Sequence, residues 1–194
     1  RKELVAVSGG HRESAESWLE LLRDLKERGM PSPKLCIGDG ALGFWKAIGQ
    51  VYPAAERQRC WVHKTANVLD KMPKSIQSSA KSLIHDIYRA ETEKAARDAY
   101  TRFQERYQAK YPKAVEALLK DEATLFTFYH YPAEHWQHIR STNTIESAFA
   151  TVRRSGVVQT ALPAARKHDD GRLMGAPRGN EIFDIHMPGH EAAI

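Results

Sequence analysis

Leu35-Cys36-Ile37-Gly38-Asp39-Gly40 is the stretch that decides the fold class. Three apolar residues without a polar break predict a strand buried on both faces, and Gly-Asp-Gly stops it in a turn. Upstream, Gly29, Pro31 and Pro33 close a helix whose apolar residues Ala15, Trp18, Leu19, Leu22 and Leu25 follow Ser14, a suitable N-cap. Further back, Leu4-Val5-Ala6-Val7 reads as a strand closed by Gly9-Gly10. Downstream, Leu42, Trp45 and Ile48 predict a helix ending near Gly49, and residues 56–60 predict another strand. Strands alternating with helices imply parallel pairing and an α/β layer.

From Trp61 to about Ile139 the pattern is helical only. Val62, Ala66 and Leu69 share one face; Ile76, Ala80, Leu83, Ile84 and Ile87 form a second set. Ala95, Ala99 and Phe103, then Val115, Leu118 and Leu119, continue the series, with Pro73, Pro112 and Pro132 as breaks. A last helix is expected from Thr144 to Arg154, burying Ile145, Ala148, Phe149 and Val152. After Gly156 there is no apolar period, and four Arg/Lys stand against five Asp/Glu. A disordered tail and a frameshifted end are the two readings of that segment.

The 194 residues are 42% apolar, enough to build a core and to exclude wholesale disorder. No apolar run is long enough to cross a bilayer, so no membrane partner is expected. Cys36 and Cys60 make no disulfide framework, which suits a reducing cytoplasm. The opening Arg1-Lys2-Glu3-Leu4 is not a signal peptide, and a first residue other than Met places the expected start upstream. A net charge of +5 suits either a polyanionic partner such as nucleic acid or ordinary solubility.

Two acids stand out. Asp39 follows a strand between two glycines, at the end of an α/β sheet where catalytic groups gather; Asp-Gly is equally ordinary turn chemistry. Glu146 opens the last predicted helix three residues after Asn143, so it either caps that helix or faces a ligand beside Arg153. Arg57, Arg59, Lys64, Arg140, Arg153 and Arg154 cluster around both acids, as a phosphate-backbone site or as a solvated basic face. Cys60-Trp61-Val62-His63 looks like half a zinc site, but no second pair stands at a suitable spacing. Cys60 then reads as a buried small residue, and His63 as a helix-start hydrogen-bonder or a helper near the site. His130, His135 and His138 around Trp136 read as a polar and aromatic helix surface.

The combination is more specific. Gly38-Asp39-Gly40-Ala41-Leu42-Gly43, Ala47-Ile48, Tyr52-Pro53, and Gln58-Arg59-Cys60-Trp61-Val62-His63-Lys64 with Asn67 resemble the central block of Mutator-like bacterial insertion-sequence transposases. Ser141 to Phe149 with Val152-Arg153-Arg154 is similar to that family's last catalytic segment. The resemblance runs over roughly residues 1–155, in the family's order.

It implies an RNase H-like core, partial because its first strands are missing, interrupted by an all-α insertion. The corresponding divisions are a core at 1–72, the insertion at 73–139, a last catalytic helix at 140–155 and a divergent tail at 156–194. It implies that Asp39 and Glu146 are the second and third acids of an Asp-Asp-Glu triad holding two Mg²⁺ or Mn²⁺ ions. Cys60 and His63 match a C-x-x-H signature, and Trp136 a tryptophan of the insertion. Arg57, Arg59, Lys64, Arg140, Asn143, Arg153 and Arg154 become candidate DNA contacts. The implied reactions are cleavage at transposon ends and strand transfer into target DNA, by a homo-oligomer on bacterial nucleoid DNA in the cytoplasm. The family's first Asp belongs upstream of Arg1, so the chain alone is expected not to transpose DNA. The alternatives are an inert RNase H-like remnant that binds DNA or a full-length transposase, and an unrelated α/β domain.

Overall fold

The computed structural model describes residues 14–142 and the strand at 184–186. Ser14 opens the first helix, α1 (Ala15–Glu27), with a reciprocal cap. Its Oγ accepts from the Ser17 N–H at 3.1 Å while Ser17 Oγ accepts from the Ser14 N–H at 3.1 Å. Gly29 leaves the helix at φ +93°, a turn geometry that favours glycine. Strand β1 (Leu35–Gly38) then pairs in parallel with β2 (Glu56–Arg59), from Leu35 opposite Glu56 to Gly38 opposite Arg59. Helix α2 (Leu42–Val51) makes the crossover between them.

Successive side chains of β1 enter different interiors, as a pleated strand requires. Cys36 belongs to an apolar cluster with Leu22 and Leu25 of α1 and Phe44, Ala47 and Ile48 of α2. Leu35 and Ile37 belong to a larger one reaching through Trp61 to Leu118 and Ile139. Covered on both faces, the strand can be apolar throughout, which is why it was legible as an unbroken run.

The second interior is built by α3 (Trp61–Leu69), α4 (Lys74–Tyr88), α5 (Glu93–Tyr107), α6 (Pro112–Leu119), α7 (Glu122–Leu125) and α8 (Trp136–Ile139). Two 3-10 turns, Thr127–His130 and Ala133–His135, link the last two helices. Residues 121–131 run along β2. Gln58, fully buried, donates Nε2 to the Leu125 carbonyl at 3.2 Å and accepts the Phe128 N–H at 2.8 Å. Thr127 Oγ1 donates to the Arg57 carbonyl at 2.7 Å. An amide side chain thus stands in for the neighbouring strand that an edge would otherwise solicit.

Several helices are rotated from the sequence reading. In α3 the buried residues are Trp61, Lys64, Thr65 and Val68; Val62 is exposed and Ala66 faces outward with it. The larger Trp61 side chain takes the interior, and the face includes a lysine that looked polar. In α2 the buried set is Phe44, Ala47, Ile48 and Val51, with Leu42 75% exposed, and the helix runs two residues past Gly49. Ala96 replaces Ala95 in the buried row of α5, and Leu119 of α6 is exposed while Ala114 is buried.

The predicted strand at residues 4–7 and the predicted helix at 144–154 lie outside the described residues. So do residues 156–183 and 187–194 of the tail. Asp184–His186 forms β3, antiparallel to β1 in the order β2-β1-β3. Three residues are too few to show a period in the sequence. Among the described residues no helix is long and apolar enough to cross a membrane.

Candidate functional site

β1 ends at Gly38, and Asp39 begins the turn into α2. Asp39 Oδ1 accepts the Ala41 N–H at 3.0 Å, so its carboxylate bends the chain. Gly40 stands at φ +107°. A Cβ there would lie 2.6 Å from the Arg59 guanidinium carbon, so the arginine packs directly under the turn. Gly40→Ala is therefore expected to cost on the order of 1–3 kcal/mol through backbone strain. Thermal denaturation measures this, and an unchanged melting temperature would contradict the close packing.

Arg59 and Lys64, both expected at a phosphate site, are 3% and 2% exposed. They share one partner. Arg59 Nε lies 3.0 Å and Lys64 Nζ 2.6 Å from Oδ2 of Asp121, at the start of α7. Arg59 Nη1 also approaches the Gly38 carbonyl at 3.5 Å, and Lys64 Nζ donates to the Ala117 carbonyl at 2.6 Å. Burial pushes the Asp121 carboxyl up, but the hydrogen bond and charge of Lys64, then those of Arg59, hold it below its usual range. Burial outweighs pairing at Lys64 and holds that amine below its usual value. The two partners thus shift in senses that oppose each other for stability. One oxygen shared by two buried cations makes Asp121 the member whose removal is felt most.

At the end of β2 the Cys60 N–H donates to the Gly38 carbonyl at 2.8 Å, joining the two strand ends. Cys60 is fully buried. Its Sγ accepts the Thr142 N–H at 3.3 Å and lies 3.4 Å from Thr142 Oγ1. Burial pushes its thiol up, but hydrogen bonds with His63 and Thr142 outweigh this and hold it below the usual value. The Trp61 N–H donates to the Arg140 carbonyl at 3.0 Å. Arg140 itself donates to the Tyr88 carbonyl at 2.8 Å, its guanidinium 5.3 Å from that ring's centre. The segment 140–142 is thereby fixed against the C-terminal end of the sheet.

The structure brings Asp39, Arg59, Cys60, His63, Lys64 and Thr142 to the ends of β1 and β2. Arg57 lies against α2, where a Cβ on Gly49 would meet its Nη2 at 2.5 Å. Burial pushes the Cys36 thiol up to about 12, with Arg57 pulling the other way. Trp136 sits within the helical block, its Nε1 donating to the Tyr131 carbonyl at 2.7 Å beside Phe128 and Tyr129. Asn143, Glu146, Arg153 and Arg154 lie outside the described residues. Asp121 escaped the sequence reading, since nothing near it marks it; Thr142 stood within the recognised segment Ser141 to Phe149 but was given no role of its own.

Among the described residues no three His, Cys, Asp or Glu side chains gather as a metal set. With Oδ1 of Asp39 given to its turn, a hard cation there would take Oδ2. One carboxylate is a fraction of the oxygen donors a divalent ion needs, so the described residues alone do not complete a metal site.

The sequence matches the family described as "Transposase, Mutator family" over residues 1–169. It is 58% identical over 154 residues to the transposase for insertion sequence element IST2 of Acidithiobacillus ferrooxidans, covering 79% of this chain and 52% of that protein. It is 59% identical over 153 residues to the transposase for insertion sequence element IS6120 of Mycolicibacterium smegmatis, covering 79% and 47%. A more distant relative, the transposase for IS256 in transposon Tn4001 of Staphylococcus aureus, is 29% identical over 187 residues, 95% of this chain and 46% of that protein. The chain spans about half the length of these curated relatives. With the family match reaching well over half of its residues, the chain belongs to the Mutator family of transposases.

Proposed function

We propose that this chain carries part of the catalytic core of an insertion-sequence transposase of the Asp-Asp-Glu type, acting on DNA. In this reading the α/β layer is an RNase H-like core and the helical block its insertion. Asp39 and Glu146 supply two of the three acids. The observation that carries it is Asp39, held on a turn at the C-terminal end of β1 where the neighbouring strand also ends. Thr142, four residues before Glu146, is pinned to Cys60 at that end of the sheet. Four residues span at most about 14 Å, so the chain length allows Glu146 to reach Asp39.

Mg²⁺ or Mn²⁺, when bound, would activate a water or a DNA 3′-hydroxyl and stabilise the leaving oxygen. The chain's own contribution is to hold Asp39 on a fixed turn and to keep Arg59 from swinging onto it by tying the guanidinium to Asp121. Calorimetric titration of the chain with Mn²⁺ tests this. Binding that falls at least about tenfold in Asp39→Asn supports it, a loss of ~1.4 kcal/mol. Equal binding by both proteins would remove Asp39 from the metal site.

The hydrogen bond from Ala41 to Asp39 favours a second reading, in which Asp39 only turns the chain and the protein is an inert DNA-binding remnant. In that case Asp39→Ala alters stability, by ~1 kcal/mol as for a lost cap, while Asp39→Asn, which keeps the acceptor, leaves Mn²⁺ binding as it was.

A further inference from the structure

Arg59 and Lys64, the basic residues nearest the turn on β2 and α3, are buried against Asp121. Other cations must therefore meet any phosphate backbone that approaches the turn from the helical side. The structure offers a set. Lys71, Lys113 and Lys120 line a cleft of about 600 Å³ with Glu116, Ala117 and Leu119, between the end of α3 and helix α6. All three lysines are exposed, and the only acid among the six lining residues is Glu116. Lys71 is also within 2.9 Å of Asp70, an exposed pair that water and salt weaken.

The wall of this cleft connects to the Asp39 turn through buried contacts. Ala117, on its wall, accepts from Lys64. Lys120 is close enough for its charge to be felt at Lys64, and Lys64 and Arg59 meet at Asp121, the residue after Lys120. Arg59 in turn lies under Gly40. A line of contacts thus joins the lysines to the turn bearing Asp39. At its buried end two cations, Arg59 and Lys64, share the one carboxylate of Asp121, an excess of positive charge there.

We propose that Lys71, Lys113 and Lys120 form a phosphate-binding track for the DNA backbone flanking the position handled at Asp39. The track rests on the reading of the chain as a DNA-acting transposase core. Phosphate contacts of this kind position the duplex and carry no sequence information. The exposed Leu119 supplies apolar contact for the deoxyribose edge beside them.

Fluorescence anisotropy of the chain with a labelled duplex of arbitrary sequence, over a series of salt concentrations, tests the track. Removing one lysine–phosphate pair lowers the slope of log affinity against log salt by about 0.9, so the triple variant K71Q/K113Q/K120Q should lower it by roughly 2–3. K71R/K113R/K120R should keep the parental slope. K34Q/K81Q/K94Q, which neutralises exposed lysines outside the cleft, should also keep it. Circular dichroism checks that each variant is folded, and Lys120→Gln alone, with a fall of about 0.9, serves if the triple variant is not. An unchanged slope in the cleft variant, or an equal fall in the control, overturns the track while leaving DNA binding intact. If the parent chain binds no duplex at low salt, the DNA-acting reading fails, and the track with it.

Discussion

Asp121→Ala is expected to move the urea midpoint of unfolding sharply downward, by about 3–5 kcal/mol of stability, as removing one side of a buried ion pair does. The lower end applies, because Asp121 is 28% exposed while its partners are nearly sealed. The variant leaves two cations in the interior with no carboxylate between them. Asp121→Asn should behave similarly, since an amide retains a hydrogen-bond acceptor but no charge. Adding Lys64→Met to Asp121→Asn removes one stranded cation and should recover part of the loss. A cost below about 1 kcal/mol in both single variants would mean that the cations relax to water, as exposed pairs do.

The pH dependence carries a defined sign. The Asp121 carboxyl is held low in the folded chain, so its contribution is complete above the unfolded value of about 3.9 and is lost as pH falls through the folded value. Acid unfolding of the parent should therefore steepen below about pH 4, and Asp121→Asn should flatten that limb. Lys64, held low by burial, acts oppositely and only at alkaline pH.

Trp61→Ala is the second large effect, about 3–5 kcal/mol for an aromatic removed from a packed interior. Trp61 heads the largest fully buried side chains, with Tyr88 at 5.3 Å and Phe126 at 6.1 Å between ring centres. Its Nε1 donates to the Leu125 carbonyl at 2.9 Å. Trp61→Phe keeps most of the volume and loses that bond. Gln58 still donates to the same carbonyl, so the cost should fall near the lower end of the 1–3 kcal/mol of an unsatisfied group. Equilibrium denaturation of both variants measures this. Equal losses would show that the hydrogen bond, rather than the packing, holds the residue.

Local chemistry was the legible part. The Ser14 cap, the Gly29 stop and the run Leu35–Ile37 depend on neighbours a few residues away, and they stand where the pattern put them. The parallel pairing followed from the strand–helix–strand order. The orientation of α3 did not follow, because two stripes were available and only the fold decides that Trp61 and Val68 face inward. Lys64 looked like a surface charge since its partner Asp121 lies 57 positions further on, beyond any helical or turn spacing. Arg59 misled for the same reason, its bond to Asp121 spanning 62 positions. The Cys60–His63 pair was visible as a spacing, but its tie to Thr142 across 82 positions was not.

The amide of Gln58 has a consequence for the nascent chain. Its acceptor at Leu125 is made 67 residues later, which at about 5–20 residues per second is a delay of roughly 3–13 s on the ribosome. Through that interval β2 has an unsealed side, open to pairing with a neighbouring polypeptide. That open side of β2, rather than any weakness of the finished protein, is then a point at which the nascent chain is exposed to aggregation.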